Sequence, residues 1–512
     1  MNYTHIIVGG GSAGCVLAEG LSARPRHRVL LIEAGPDYRG TQLPVELNDG
    51  TTPAIGSHDW GLWAQTPDGH SVPVPRGRVV GGTSQINSCI ALRPEPSDFG
   101  GPSFKSSKWD WQRLVECFHE VENDLDFPQA DAADGTVAIR RPRSTELAYP
   151  SRALIDACLA TGYGYTENHN APLSTGVGLA PLNISPEGMR ISARLAFLES
   201  ARERDNLTVL SDALVDRVAI RDGRAEGVVY RHSGRRGDHF ASAAHVVLSA
   251  GAYGTPVILL RSGLGPRQEL ESLGIAVVSD LPGVGANLSD HSQVPLAFTY
   301  ESIGTSRRVP CVQALLRYSS RTSASQPNDM QLCMLNHVEL TGYNPALAAA
   351  WDTNLASSLT ANLMMPAARG KVRLTATPDG LDTVIDYGFV DHPADLARLR
   401  EGVRKAAALL RHETFAFRIT RTHRPSDACL ADDDALDEWI LQSFQPGHHP
   451  VGTARMGSAE DPDAVVIDDL SVRGLRGLYV ADASVLPEPI RANTNLTVLA
   501  VARNALRMAW AS

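Results

Sequence analysis

Apolar residues near the two ends of this chain gather in short unbroken runs, whereas through much of its middle they alternate with polar ones. Ile6-Ile7-Val8, Val29-Leu30-Leu31-Ile32, the segment Ala244 to Ala250 and Leu478-Tyr479-Val480 are runs of the kind buried strands carry in parallel sheets. Between about 292 and 450 the segments Ser292 to Tyr300, Lys371 to Thr375 and Thr383 to Tyr387 alternate, which predicts a second, antiparallel sheet. Helical spacing over 109–122 puts Leu114, Cys117, Phe118 and Val121 on one face, and 497–511 also reads as a helix. Asn206 to Ile220 and Gly227 to Tyr230 predict strands flanking a turn at Asp222-Gly223. Residues 36–105 are rich in Gly, Pro and Ser and predict long connections, which in compact proteins are usually functional. No internal repeat or low-complexity tract is evident.

The first two apolar runs flank Gly9-Gly10-Gly11-Ser12-Ala13-Gly14, and the second ends in Glu33. Strand, G-x-G-x-x-G turn, helix, strand and terminal acid form a dinucleotide-binding βαβ unit. Gly9 permits the turn, Gly11 lets backbone approach a pyrophosphate, and Gly14 lets helix pack on strand. The helix N-terminus aims N–H groups at the phosphates, and Glu33 is placed to hold ribose hydroxyls. In a chain with 44 glycines the bare pattern is weak; the flanking strands and Glu33 carry the assignment.

At 512 residues the chain exceeds one compact core and predicts at least two domains. Its 43% hydrophobic and 20% charged residues describe an ordinary globular protein. A net charge of −10 without a basic run argues against nucleic acid or an anionic membrane as partner. No apolar run is long enough to span a bilayer, and the first strand starts too early for a secretory leader. Seven cysteines without C-x-x-C spacing read as reduced thiols, so a cytoplasmic location is expected.

Five further motifs resemble the glucose–methanol–choline oxidoreductases, flavoproteins that oxidise alcohols. These are Arg76 through Asn87, Gly251 through Gly265, Leu281 through His291, His449-Pro450-Val451-Gly452-Thr453 with Met456-Gly457, and Val480-Ala481-Asp482-Ala483-Ser484 through Asn495. They occur in the family's order and, with the βαβ unit, cover nearly the whole chain. The resemblance implies an α/β fold, α+β overall, with a Rossmann-type FAD-binding domain and an inserted substrate domain on an antiparallel sheet. Residues 1–150, 190–291 and 449–512 are assigned to the FAD-binding domain, and 151–189 and 292–448 to the substrate domain. FAD contacts are implied for Gly9, Gly11, Ser12, Ala13, Gly14, Glu33 and Ala34, and for Val80, Gly82, Thr83, Asn87, Ser88 and Ile90. Val215 is expected by the adenine, with Asp482, Ala483 and Thr497 completing the set; Asp482 also suits a helix cap. Some choline-oxidising members attach FAD to a His at the position of Ile86, so FAD is expected to be noncovalent here.

Alcohol oxidation needs a base for the O–H proton, and a neutral imidazole suits that task. The resemblance makes His449 the base and Asn495 its partner on the substrate oxygen. His448 either lines the pocket or points away; no third ligand makes a metal site of the pair. Asp98 marks a shortened loop near the pocket. Gln313, aligned loosely with the substrate-facing acid of choline oxidases, is expected with His448 and Asn336 to bind a neutral or polar primary alcohol. Oxygen or another acceptor would take the electrons, and the oligomeric state is not readable. A hydroxynitrile-lyase-like flavoprotein, a nicotinamide dehydrogenase and a non-catalytic FAD-binding scaffold stand as alternatives.

Overall fold

In the computed structural model the apolar runs from both ends of the chain meet in one sheet. The structure describes all residues except 1, 67–68, 102–103, 105, 129–134, 302–308, 322–326, 344, 389–391 and 512. Strand Asn2–Val8 lies between Val29–Ile32 and Asp238–Leu248, parallel to both. Leu207–Leu210 extends the sheet beyond Val29–Ile32, and Leu478–Val480 pairs in parallel with Asp238–Leu248. The antiparallel hairpin Ala213–Arg221 and Arg224–His232 completes it. Its turn falls at Asp222-Gly223, both with positive φ, as a two-residue hairpin turn requires.

Helix Ser12–Ser22 opens at the glycine turn and buries Ala13, Cys15, Val16, Leu17 and Leu21. It reaches the sheet because Gly14 has no side chain: a Cβ there would lie 1.9 Å from the Gly9 carbonyl oxygen. The helix expected over 109–122 is Trp111–Val121, capped by Asp110 and burying the four residues its spacing selected. The C-terminal helix is Thr494–Ala505, starting earlier than the apolar pattern suggests, and only a short 3₁₀ turn follows at Ala509–Ala511.

The second sheet is antiparallel and runs Ile419–His423, Ser292–Tyr300, Leu355–Leu363, Met330–Glu339, Val312–Tyr318, Gly176–Leu179, with Gln445–Pro446 paired to Ser292–Tyr300. Its inner face carries Val294, Leu296, Phe298, Leu332, Met334, Ala361 and Leu363, packed in one core with helices Tyr149–Ala160 and Pro393–Leu410. The alternation of the middle region does not anticipate Pro393–Leu410, a helix that buries Leu399, Val403, Ala406, Ala407 and Leu410 at 3.6-residue spacing between charged positions. A four-stranded sheet joins Lys371–Thr377 and Gly380–Asp386 to Trp63–Gln65 and Ser71–Pro73, two strands inside the long connection. No helix among the described residues is long and apolar enough to cross a membrane.

Candidate active site

Period-two alternation gives the second sheet another face, and this faces the carboxyl ends of the first sheet's parallel strands across a cavity of about 890 Å³. Ligands of open α/β sheets bind at those strand ends. Gly9, Gly11, Ser12 and Ala13 line the cavity together with Glu33, Ala34 and Val215. Gly82, Thr83, Asn87, Ser88 and Ile90 line it too, with Asp482 and Ala483. His448 and His449 line it as well.

The two glycine loops touch back to back. A Cβ on Gly82, at φ +53°, would lie 2.6 Å from the Gly11 Cα, so only bare backbone lets these loops share the cavity wall. This glycine-walled channel fits an extended dinucleotide, and FAD fits its donor set. Glu33 accepts from the N–H groups of Gly10 and Gly35, both at 2.8 Å, while burial pushes its carboxyl up to about 7. Its oxygens therefore shape the glycine turn as well as facing the cavity. Glu33→Ala is expected to weaken FAD retention by about 1.5–3 kcal/mol, measured by titrating apoprotein with FAD. Unchanged affinity would exclude Glu33 from that role.

Asp482 is fully engaged. One oxygen accepts from Gly251 N–H at 2.8 Å and Thr255 Oγ1 at 2.6 Å, the other from Ser484 N–H at 2.8 Å and its hydroxyl at 2.5 Å. It caps the 3₁₀ turn Ala483–Val485 and holds helix Gly251–Arg261 against it, so the capping reading applies to its side chain.

Three residues expected at the cofactor stand behind the lining. Gly14 packs helix on strand, Val80 is wholly buried in the main core, and Thr497 is buried with its hydroxyl unpaired. Ile86 is 2% exposed, packs with Leu47, Ala54 and Val79, and reaches the cavity wall.

A chain of hydrogen bonds fixes the tautomer of His449. The Ile490 carbonyl can only accept, so His291 donates to it through Nε2, at 2.8 Å. The Nδ1 of a neutral His291 must then accept, and His449 donates to it through its own Nδ1–H at 3.0 Å. This leaves the Nε2 of His449 unprotonated, and it accepts from Asn493 Nδ2 at 2.9 Å. Burial holds His449 well below the usual 6.5 and His291 near 4; the neighbouring His291, His448 and Arg76 push His449 further the same way. The pair is neutral at physiological pH, as this chain of donors requires.

The backbone is fixed as tightly. Asp290 accepts from His449 N–H at 2.7 Å and from Tyr387 Oη at 2.9 Å. Tyr387 in turn hydrogen-bonds Tyr253. His448 has φ +65°, a conformation that costs about 1–3 kcal/mol for a non-glycine residue, and Arg76 donates to its carbonyl at 2.9 Å. His448 lines the cavity, with its Nδ1 unpaired. Asp98 hydrogen-bonds the backbone N–H and the guanidinium of Arg491, at 3.0 and 2.5 Å, anchoring the loop that presents Ile490 and Asn493.

Three side chains, Asn495, Gln313 and Asn336, stand elsewhere than expected. Asn495 is not the partner of His449: although it reaches the cavity, its Oδ1 accepts from Ser12 Oγ at 2.7 Å, and Asn493 takes that place. Gln313 does not face the cavity. It is fully buried on Val312–Tyr318, accepting from Ala148 N–H and Asn336 Nδ2 and donating to the Glu146 carbonyl. Asn336 is tied up with it and with Ser151. The sequence motif contained both Asn493 and Asn495 without distinguishing them; His291, the last residue of the third motif, carried no tautomer signal.

A Rossmann-type sheet whose glycine-walled cavity also holds a neutral histidine is the arrangement of a flavin-dependent oxidoreductase. The chain belongs to the GMC oxidoreductase family: the family's N-terminal model matches residues 3–293 and its C-terminal model 366–502. Within that family it is an FAD-dependent enzyme acting on CH–OH groups. It is 32% identical to the 5-(hydroxymethyl)furfural oxidase of Methylovorus sp. strain MP688, over 98% of this chain and 97% of that one. It is 30% identical to an alcohol dehydrogenase [acceptor] of Pseudomonas putida, over 98% and 95%. Pyridoxine 4-oxidase from Mesorbium loti superposes with a TM-score of 0.88 at 28% identity, covering 99% of each chain.

Proposed function

We propose that this protein oxidises a primary alcohol to the aldehyde, with noncovalent FAD and with His449 as general base. The observation that carries this reading is the unprotonated Nε2 of His449, set by His291 and bonded to the Asn493 amide, a bond into which a substrate hydroxyl can insert. An alcohol oxygen held by both groups gives its proton to Nε2 and accepts from Asn493 Nδ2, so the amide stabilises the alkoxide that forms. FAD, when bound, accepts the hydride that leaves the carbinol carbon. Oxygen or another acceptor closes the cycle. The names of the relatives, an oxidase and an acceptor-dependent dehydrogenase, are in keeping with either.

Asn493→Ala is expected to slow anaerobic flavin reduction by roughly tenfold to a hundredfold, the cost of one hydrogen bond to a charged oxygen. Asn495→Ala, whose side chain is bound to Ser12, should slow that step far less. Stopped-flow reduction of the two variants measures the difference; the reverse order would restore Asn495 as the partner.

Noncovalent attachment rests on Ile86, a hydrocarbon side chain at the wall position in question. Acid precipitation should release the yellow colour into the supernatant. Flavin fluorescence that stays with the denatured band would contradict it. The seven cysteines are free thiols, six of them buried, in keeping with a cytoplasmic protein.

A further inference from the structure

Four carboxamides stand side by side on the cavity face of the second sheet. Gln445 pairs with Gln293, Gln293 with Asn362, and Asn362 with Gln331, so the row crosses four adjacent strands in register. At the usual inter-strand spacing it is roughly 14 Å long. All four residues line the cavity. The row starts beside the base: Gln445 precedes His449 by four residues, and Gln293 follows His291 by two.

Its hydrogen-bonding capacity is largely unspent. Gln293 donates to the Pro446 carbonyl at 2.6 Å, leaving its oxygen to accept. Asn362 makes only long contacts through its nitrogen, 3.3 and 3.4 Å, to Thr360 and Gln331 carbonyls. Gln331 is 7% exposed. No charged side chain belongs to the row.

We propose that this row determines specificity by reading the part of the substrate remote from the carbinol, and that it selects uncharged primary alcohols bearing hydrogen-bonding groups on a ring. The inference rests on the alcohol-oxidation reading above. A plain hydrocarbon ring would leave sheltered amides unpaired, and sites built to hydrogen-bond discriminate strongly against analogues lacking the group. A cation would find no carboxylate in the row. Trp60 offers it little, because the Arg78 guanidinium already lies over that ring, 5.1 Å from the centroid.

The test compares benzyl alcohol, a dihydroxybenzyl alcohol and choline in anaerobic reduction of the FAD-loaded enzyme. The dihydroxy compound should exceed the other two in second-order rate constant by about tenfold or more. Gln331→Leu should bring it to near parity with benzyl alcohol while leaving benzyl alcohol within about threefold of wild type. Gln445→Leu, at the other end of the row, should act in the same direction and serves if the first variant does not fold. Benzyl alcohol or choline matching the dihydroxy compound in the wild type would overturn the row's role and leave alcohol oxidation standing. An equal loss on both aromatic alcohols in the variants would do the same. A flavin untouched by every alcohol would overturn both readings.

Discussion

His449→Ala yields a yellow, FAD-loaded protein whose flavin is reduced by alcohol about 10²–10⁴-fold more slowly than in the wild type, the usual contribution of a positioned general base. The flavin spectrum should persist, because His449 belongs neither to the glycine turn nor to the Glu33 contacts that shape it. The pH dependence follows from burial. His449 is held well below its ordinary 6.5, so the imidazole is neutral and able to accept a proton at neutral pH and for some distance below it. The wild-type rate should therefore stay level as pH falls through 6.5 and drop only as pH passes the depressed value. His449→Ala removes that fall. Stopped-flow reduction across pH checks both statements. A variant as fast as wild type would remove His449 from the chemistry.

His291→Phe is expected to cost roughly a hundredfold or more in the same step, although His291 need not touch substrate. Its ring accepts from His449 Nδ1–H and donates to the Ile490 carbonyl, which keeps Nε2 of His449 unprotonated. Phenylalanine keeps a ring in the buried site and removes the acceptor. His449 can then carry its proton on Nε2, the nitrogen that must be free, and partners that orient a catalytic imidazole are worth factors of this order or more. His291→Gln offers an amide oxygen to His449 and an amide N–H to Ile490, so it should recover much of the rate. Equal losses in the phenylalanine and glutamine variants would mean that His291 acts only through packing.

The part of the site legible in the sequence is the part made by contiguous residues. The glycine turn, Glu33 and the His449 loop each carry their chemistry within a few positions, and the structure puts Glu33 and His449 on the same cavity. What was not legible depends on contacts distant in sequence. Asn493 and Asn495 are separated by where the helix N-terminus turns them: one, at the N-cap position of Thr494–Ala505, turns its side chain to His449, and the other, in the first turn, meets Ser12. The loose alignment that makes Gln313 a substrate ligand carries no information on which way its side chain turns. The pairing of Val312–Tyr318 with Met330–Glu339 shifts register between Val312 and Ala314, and Gln313 turns toward the N-terminus of helix Tyr149–Ala160. The carboxamides that do face the cavity sit on four different strands, and no single segment displays them as a group. The hydrogen bond between His291 and His449 spans 158 residues of sequence and has no local signature.

The most direct test of the central claim mixes the FAD-loaded wild type, without oxygen, with a primary alcohol and with the same alcohol deuterated at its carbinol carbon. The visible flavin band should bleach with both, several-fold more slowly with the deuterated form, because the C–H bond breaks in the step that His449 makes possible. A flavin that stays yellow across a panel of primary alcohols, or bleaches equally fast with both isotopic forms, would contradict the account.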